Sequence, residues 1–174
     1  MSCLALDLAT TSGWAFGQPG ETPRFGTFTL PNTGDDLGRF GVTFLQWLTA
    51  KLRELEPKEV VFEAPILPRE TNIQTLKKLY SISVVCEMAC ALQGVPCSEI
   101  PAGTWRKSFL GQSYPSGGTR DELKRAVIAA CRQMGWEPNS SDDADALGIW
   151  FVASCARNQQ MAANDAVARM AGPQ

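Results

Sequence analysis

The sequence predicts an α/β fold built on a mixed five-stranded sheet. Three observations carry this. Five short segments are apolar, β-branched or aromatic, as strands are. The first three are joined by turns alone, which favours an antiparallel meander. The last two each follow a stretch of helical periodicity, and a strand-helix-strand unit favours a parallel pair with a right-handed crossover.

Residues 2–8 form the first predicted strand, an apolar run interrupted by Asp7. Residues 13–18 and 24–30 follow as a hairpin around a turn rich in Gly and Pro. Over 35–55, Leu37, Phe40, Gly41, Phe44, Leu48, Leu52 and Leu55 recur at three- and four-residue spacing, a helix stripe that stops before Pro57. Residues 59–65 form a fourth strand whose acid, Glu63, stands just before Pro65. Residues 71–93 form a long helix with Leu76, Leu79, Tyr80, Ser83, Cys86, Glu87 and Cys90 on one face and Gly94 beyond its end. Packing gives Glu87 no role there. Residues 95–100 form the fifth strand. A short helix capped by Thr104 follows, then a loop over 111–118. Thr119 and Glu122 form a capping box for a helix reaching about Gly135. A last helix starts near Ser140. Residues 1–160 read as one domain and 161–174, small and polar, as a tail.

The 174 residues suit one domain with a full core, and the net charge is −2. No apolar run approaches the roughly 20 residues that cross a bilayer. No basic segment followed by a long apolar core opens the chain, so a cytoplasmic location is expected. The six cysteines are scattered in apolar surroundings and read as reduced, buried thiols. Histidine is absent, which excludes a Ser-His-Asp or Cys-His nucleophile and a His base. No small-molecule cofactor motif is present. Acid-base work falls to carboxylates, lysines, tyrosines or metal-bound water.

Asp7 admits two readings: a strand-end carboxylate bonding the turn amides of residues 9–11, or a metal ligand. Glu63 repeats its placement. Asp142 and Asp145 share a face in the first turn of the last helix, where acids also complement the helix dipole. Asp143 can serve as cap alone. Together, three segments bring acid to apolar settings. Such a cluster needs cations, and Mg²⁺ is the natural partner of an all-oxygen set. Two ions about 4 Å apart would serve an in-line phosphodiester displacement without histidine.

Asp7 after an apolar strand, Glu63 ending Val60-Val61-Phe62-Glu63, and Asp142-Asp143-Ala144-Asp145-Ala146-Leu147 resemble the acidic motifs of the RuvC-like Holliday junction resolvases of the RNase H-like superfamily, over residues 1–157. The resemblance implies an RNase H-like sheet flanked by helices on both faces and a homodimer. It implies Mg²⁺- or Mn²⁺-dependent nicking of four-way DNA junctions, with two ions per site held by Asp7, Glu63, Asp142 and Asp145. Lys107 and Lys124 match positions where a Lys lies near the scissile phosphate. Arg69, Lys77, Lys78, Arg106, Lys107, Arg120, Lys124 and Arg125 form basic patches suited to backbone phosphates. Where well-studied members carry a wedging aromatic, Pro65-Ile66-Leu67-Pro68 follows Glu63. That departure suits the phage or prophage branch, which acts on several branched DNAs. Competing readings are a branched-DNA-binding module on the same fold and a phosphotransferase of the actin-like superfamily. The latter needs a second domain for which this chain is too short.

Overall fold

A computed structural model describes residues 1–65 and 73–171. Its strands are β1 (Cys3–Asp7), β2 (Thr11–Gly17), β3 (Arg24–Thr29), β4 (Glu59–Glu63) and β5 (Cys97–Ile100). Its helices are α1 (Leu37–Leu55), α2 (Ile73–Gln93), α3 (Ala102–Leu110), α4 (Arg120–Gln133) and α5 (Ser141–Ala171). The sheet order is β3-β2-β1-β4-β5. β1 pairs antiparallel with β2, and β2 with β3. β4 lies parallel to both β1 and β5. This is the mixed five-stranded sheet expected from the sequence.

Strand alternation divides the core into two halves. Leu4 and Leu6 of β1 and Leu8 just after it, with Val60 and Phe62 of β4, face Phe40, Phe44, Leu48 and Leu52 of α1 and Ile82 and Cys86 of α2. Cys3, Ala5 and Val61 face the other way, onto Trp105 and Phe109 of α3, Val127 of α4 and Leu147 and Trp150 of α5. The period of two therefore assigns Asp7 and Glu63, the next odd positions, to the α5 face. In the β1–β4 ladder Leu6 pairs with Phe62, so the two acids follow side by side.

Local chemistry explains most of the boundaries. Asp36 caps α1 by accepting from the Arg39 amide at 2.8 Å. α4 carries the expected capping box of Thr119 and Glu122. α2 ends at Gly94, whose φ is +67°. There the Gly94 amide donates to Ala91 and the Val95 amide to Cys90, a Schellman turn that sends the chain straight back into β5. The thiols of Cys86 and Cys90 lie beside that of Cys97, at the start of β5, and hold it below its ordinary range.

Several local expectations change. α3 begins at Ala102 after Pro101, and Thr104 lies inside the first turn instead of capping it. Proline at −64° already has the φ of a helix start. β2 begins at Thr11, because Thr11 and Ser12 pair with Thr29 and Phe28. On α2 the buried residues are Ile82, Ser83, Cys86, Ala89 and Cys90, whereas Tyr80 and Glu87 point outward. That helix is apolar nearly all round, so its period could not choose the inner face. The backbone of α5 continues past residue 160 to Ala171 through an alanine-rich segment of high helix propensity.

Candidate active site

Asp7, Glu63, Asp142 and Asp145 line one cleft of about 450 Å³. β1 and β4 deliver the first two at their carboxyl ends. The first turn of α5 delivers the others across the same sheet face. Two glycines make that approach possible. Gly13 pairs with Asp7 in the β1–β2 ladder, and a Cβ there would lie 1.9 Å from the Asp142 carbonyl oxygen. Only a glycine lets α5 sit so low on the sheet. A Cβ at Gly148 would lie 2.5 Å from the Trp105 ring.

The neighbouring polar residues separate the acids bonded within their own turn from those left facing the cleft. Ser12 Oγ accepts from the Ala9 amide at 3.2 Å and donates to the Ala9 carbonyl at 2.7 Å. Ser12 thus closes the turn that Asp7 was one candidate to close, and Asp7 is left to the cleft. Ser140 Oγ caps α5 through the Asp143 amide, and Asp143 accepts from the Asn139 amide. Asp143 is thus the structural acid of the turn, as its sequence suggests. Asp142 and Asp145 are spared for the cleft.

Glu63 is held by two residues from α3. Trp105 Nε1 donates to its Oε2 at 2.7 Å, and Arg106 reaches the same oxygen at 3.2 Å. Arg106 also bonds Asp145 at 2.8 Å. The guanidinium stacks near the Trp105 ring, with its carbon 4.7 Å from the centroid. Arg106 lines the same cleft, and its charge bridge between two strongly buried carboxylates makes it their compensating cation. Sequence reasoning grouped Arg106 with the phosphate-binding residues and missed Trp105. Nothing local in the sequence signals either contact.

The electrostatics are those of a crowded acid cluster. Burial raises Asp7 well above the ordinary aspartate range, and Asp145, Glu63 and Asp142 raise it further against the opposing pull of Arg106. Burial raises Glu63 too, although Arg106 and Trp105 oppose it. Asp145 is raised by burial, again against Arg106. Asp145 Oδ1 is buried and has no hydrogen-bond partner among the described residues. An all-oxygen set with mutual repulsion and an orphaned buried oxygen fits a hard divalent cation.

The basic residues divide by position. Lys124 and Arg120 line the cleft, and Lys124 Nζ donates to Ser141 at 3.1 Å. Lys107 is exposed outside it, with its ammonium 5.8 Å from the Tyr114 ring. Lys78 lies over the Phe40 ring at 5.5 Å, while Lys77 and Arg125 are exposed. Arg69 and residues 66–68 lie outside the described residues.

Trp105→Phe tests the positioning of Glu63. The ring volume is largely kept, but the donor to Oε2 is lost. Loss of such an orienting partner typically costs about 10–100-fold in metal affinity or activity. The expected result is a folded variant that needs more Mg²⁺ to half-saturate the cleft in a direct binding titration. An unchanged metal dependence would remove Trp105 from the site.

No protein-family model matches the chain, and no curated protein matches it by sequence. Solved structures do resemble it. Thermus thermophilus RuvC in complex with a Holliday junction substrate superposes with a TM-score of 0.67 at 17% identity, covering 90% of this chain and 96% of that one. A second T. thermophilus RuvC structure gives 0.66 at 19% identity, covering 91% and 97%. The yeast mitochondrial Holliday junction resolvase Ydc2 gives 0.62 at 10% identity, covering 86% and 75%. The chain therefore has the mixed α/β, RNase H-like fold of the RuvC-type resolvases.

Proposed function

We propose that this chain is a metal-dependent, structure-selective DNA endonuclease that nicks four-way junctions and other branched DNA. The observation that carries the reading is the convergence of Asp7, Glu63, Asp142 and Asp145 on one cleft. Those four would hold Mg²⁺ or Mn²⁺. Two such ions, when bound, supply an activated water and stabilise the leaving oxygen of a phosphodiester. The chain's own residues position the rest. Trp105 fixes Glu63, and Arg106 neutralises Glu63 and Asp145 before a cation enters. Lys124 and Arg120 at the cleft face the incoming phosphates, with Lys107, Lys77, Lys78 and Arg125 further out.

A second reading draws on Arg106. Its bridge already satisfies two of the acids, as a DNA-binding module without chemistry would require. A labelled four-way junction incubated with Mg²⁺ or Mn²⁺ separates the two. Paired nicks are expected. Junction binding without cleavage in either metal would favour the binding module.

Paired nicks call for two active sites, and α2 offers a surface for a homodimer. Tyr80, Val84, Met88 and Leu92 follow one another at four-residue steps and are exposed, Leu92 to 72%. Such an i±4 ridge is the shape that packs into a neighbouring helix. Wild-type protein is expected to be dimeric by light scattering at micromolar concentration, and Val84→Asp with Met88→Asp monomeric. A fully active wild-type monomer would overturn the dimer.

A further inference from the structure

Away from the carboxylate cleft, on the opposite face of the sheet, three cysteines converge. Cys86 and Cys90 lie one turn apart on the inner face of α2, and both are completely buried. The Schellman turn at Gly94 brings the chain back so that Cys97, opening β5, meets them. The three sulfurs all lie within 4.8 Å of one another. Sulfurs bonded to one ion at ~2.3 Å stand about 4 Å apart, so a small contraction closes the set around a single ion. Among the described residues no fourth ligand of the His, Cys, Asp or Glu type joins the group. Cys97 is half-buried, whereas the other two are inaccessible.

We propose that Cys86, Cys90 and Cys97 form a binding site for a thiophilic divalent cation of the Zn²⁺ class, which clamps α2 to β5. All three donors are sulfur, which selects against Mg²⁺ and for soft or borderline ions. Three thiolates around a divalent ion leave one net negative charge. Around Cu⁺ they would leave two, and the apolar setting penalises the more highly charged complex. Zn²⁺ with three protein ligands and a water in the fourth position is an ordinary arrangement. Each thiol releases its proton to solvent as its sulfur bonds the ion. No electron is transferred, and affinity falls as pH falls.

Anaerobic titration of the reduced, full-length protein with Cd²⁺ tests the site. Cadmium reports sulfur ligation by charge-transfer absorption that carboxylates do not give. The band is expected to saturate at one ion per chain, to form also when Cd²⁺ displaces Zn²⁺ from the Zn²⁺-loaded protein, and to ignore Mg²⁺. Cys97→Ser, a conservative change at the partly exposed member, should lose the band with its circular dichroism unchanged. Cys155→Ser, outside the cluster, should keep it. Zn²⁺ should raise the Tm of the wild type but not of Cys97→Ser. No band at one equivalent, or an undiminished band in Cys97→Ser, overturns the proposal. So does a Zn²⁺-dependent Tm rise that persists in Cys97→Ser, which would place the ion at the acids. Loss of two thiols on air exposure, with no metal uptake by the reduced protein, also overturns it in favour of a disulfide pair.

Discussion

Asp7→Asn is expected to abolish nicking and, in the absence of divalent metal, to raise the Tm. The first effect follows from its place at the centre of the cluster, beside Glu63 and facing Asp142 and Asp145. Losing a preorganised charge-stabilising group costs on the order of 10³-fold in rate. The second effect follows from the direction of its pKa. A carboxyl raised on folding takes up protons as the chain folds. Its stabilising contribution is complete below its unfolded value, about 4, and is lost as pH rises through the raised folded value. Asp7, Glu63 and Asp145 are all raised, so at neutral pH the metal-free cluster costs stability. Asparagine removes one of those charges. Each 1 kcal/mol recovered shifts the Tm of a chain this size by roughly 2–4 °C. The gain should shrink toward pH 4 and when saturating Mg²⁺ is added. Melting curves of both proteins at pH 5 and 7, with and without Mg²⁺, check this. A lower Tm for the variant at pH 7 without metal would show that Asp7 is structural.

Gly13→Ala is expected to be among the most damaging single-methyl additions in the fold. The new Cβ would meet the Asp142 carbonyl oxygen at 1.9 Å and its carbon at 2.5 Å. Both obstacles are backbone, so no side chain can swing aside. Relief requires α5 to lift off β2. That cost lies at the upper end for overpacking, about 3 kcal/mol. It corresponds to a fall in Tm of roughly 6–12 °C. Asp142 and Asp145 would move with the helix, so nicking should fall even at temperatures where the variant is folded. Gly103→Ala is the matched control: nothing lies within 4 Å of its added Cβ, and it sits inside α3. It should be neutral or stabilising by up to about 1 kcal/mol. Equal melting temperatures for Gly13→Ala and the wild type would refute the close approach of α5.

The legibility of the site follows the range of the forces involved. Strand patterning is local, so the sequence alone places Asp7 and Glu63 at the ends of two apolar strands. Capping is local too, which is why the Thr119–Glu122 box and the structural role of Asp143 could be read directly. The inner face of α2 could not, because an apolar residue on either side satisfies the same pattern. Tyr80, Val84 and Met88 stay exposed although they are as apolar as the residues beneath them.

Element order, the mixed sheet and the placement of four acids at element ends are legible in the sequence, because periodicity and turn chemistry act over a few residues. How those acids are held emerges from packing. The Trp105–Glu63 and Arg106–Asp145 contacts join residues about 40 positions apart, and no local pattern encodes them. The same holds for Gly13, whose need is set by a helix that arrives from the far end of the chain. It holds for Cys97, which meets Cys86 and Cys90 only because the turn at Gly94 folds β5 back along α2. Contacts of that kind depend on how whole elements pack, and packing is a property of the assembled chain.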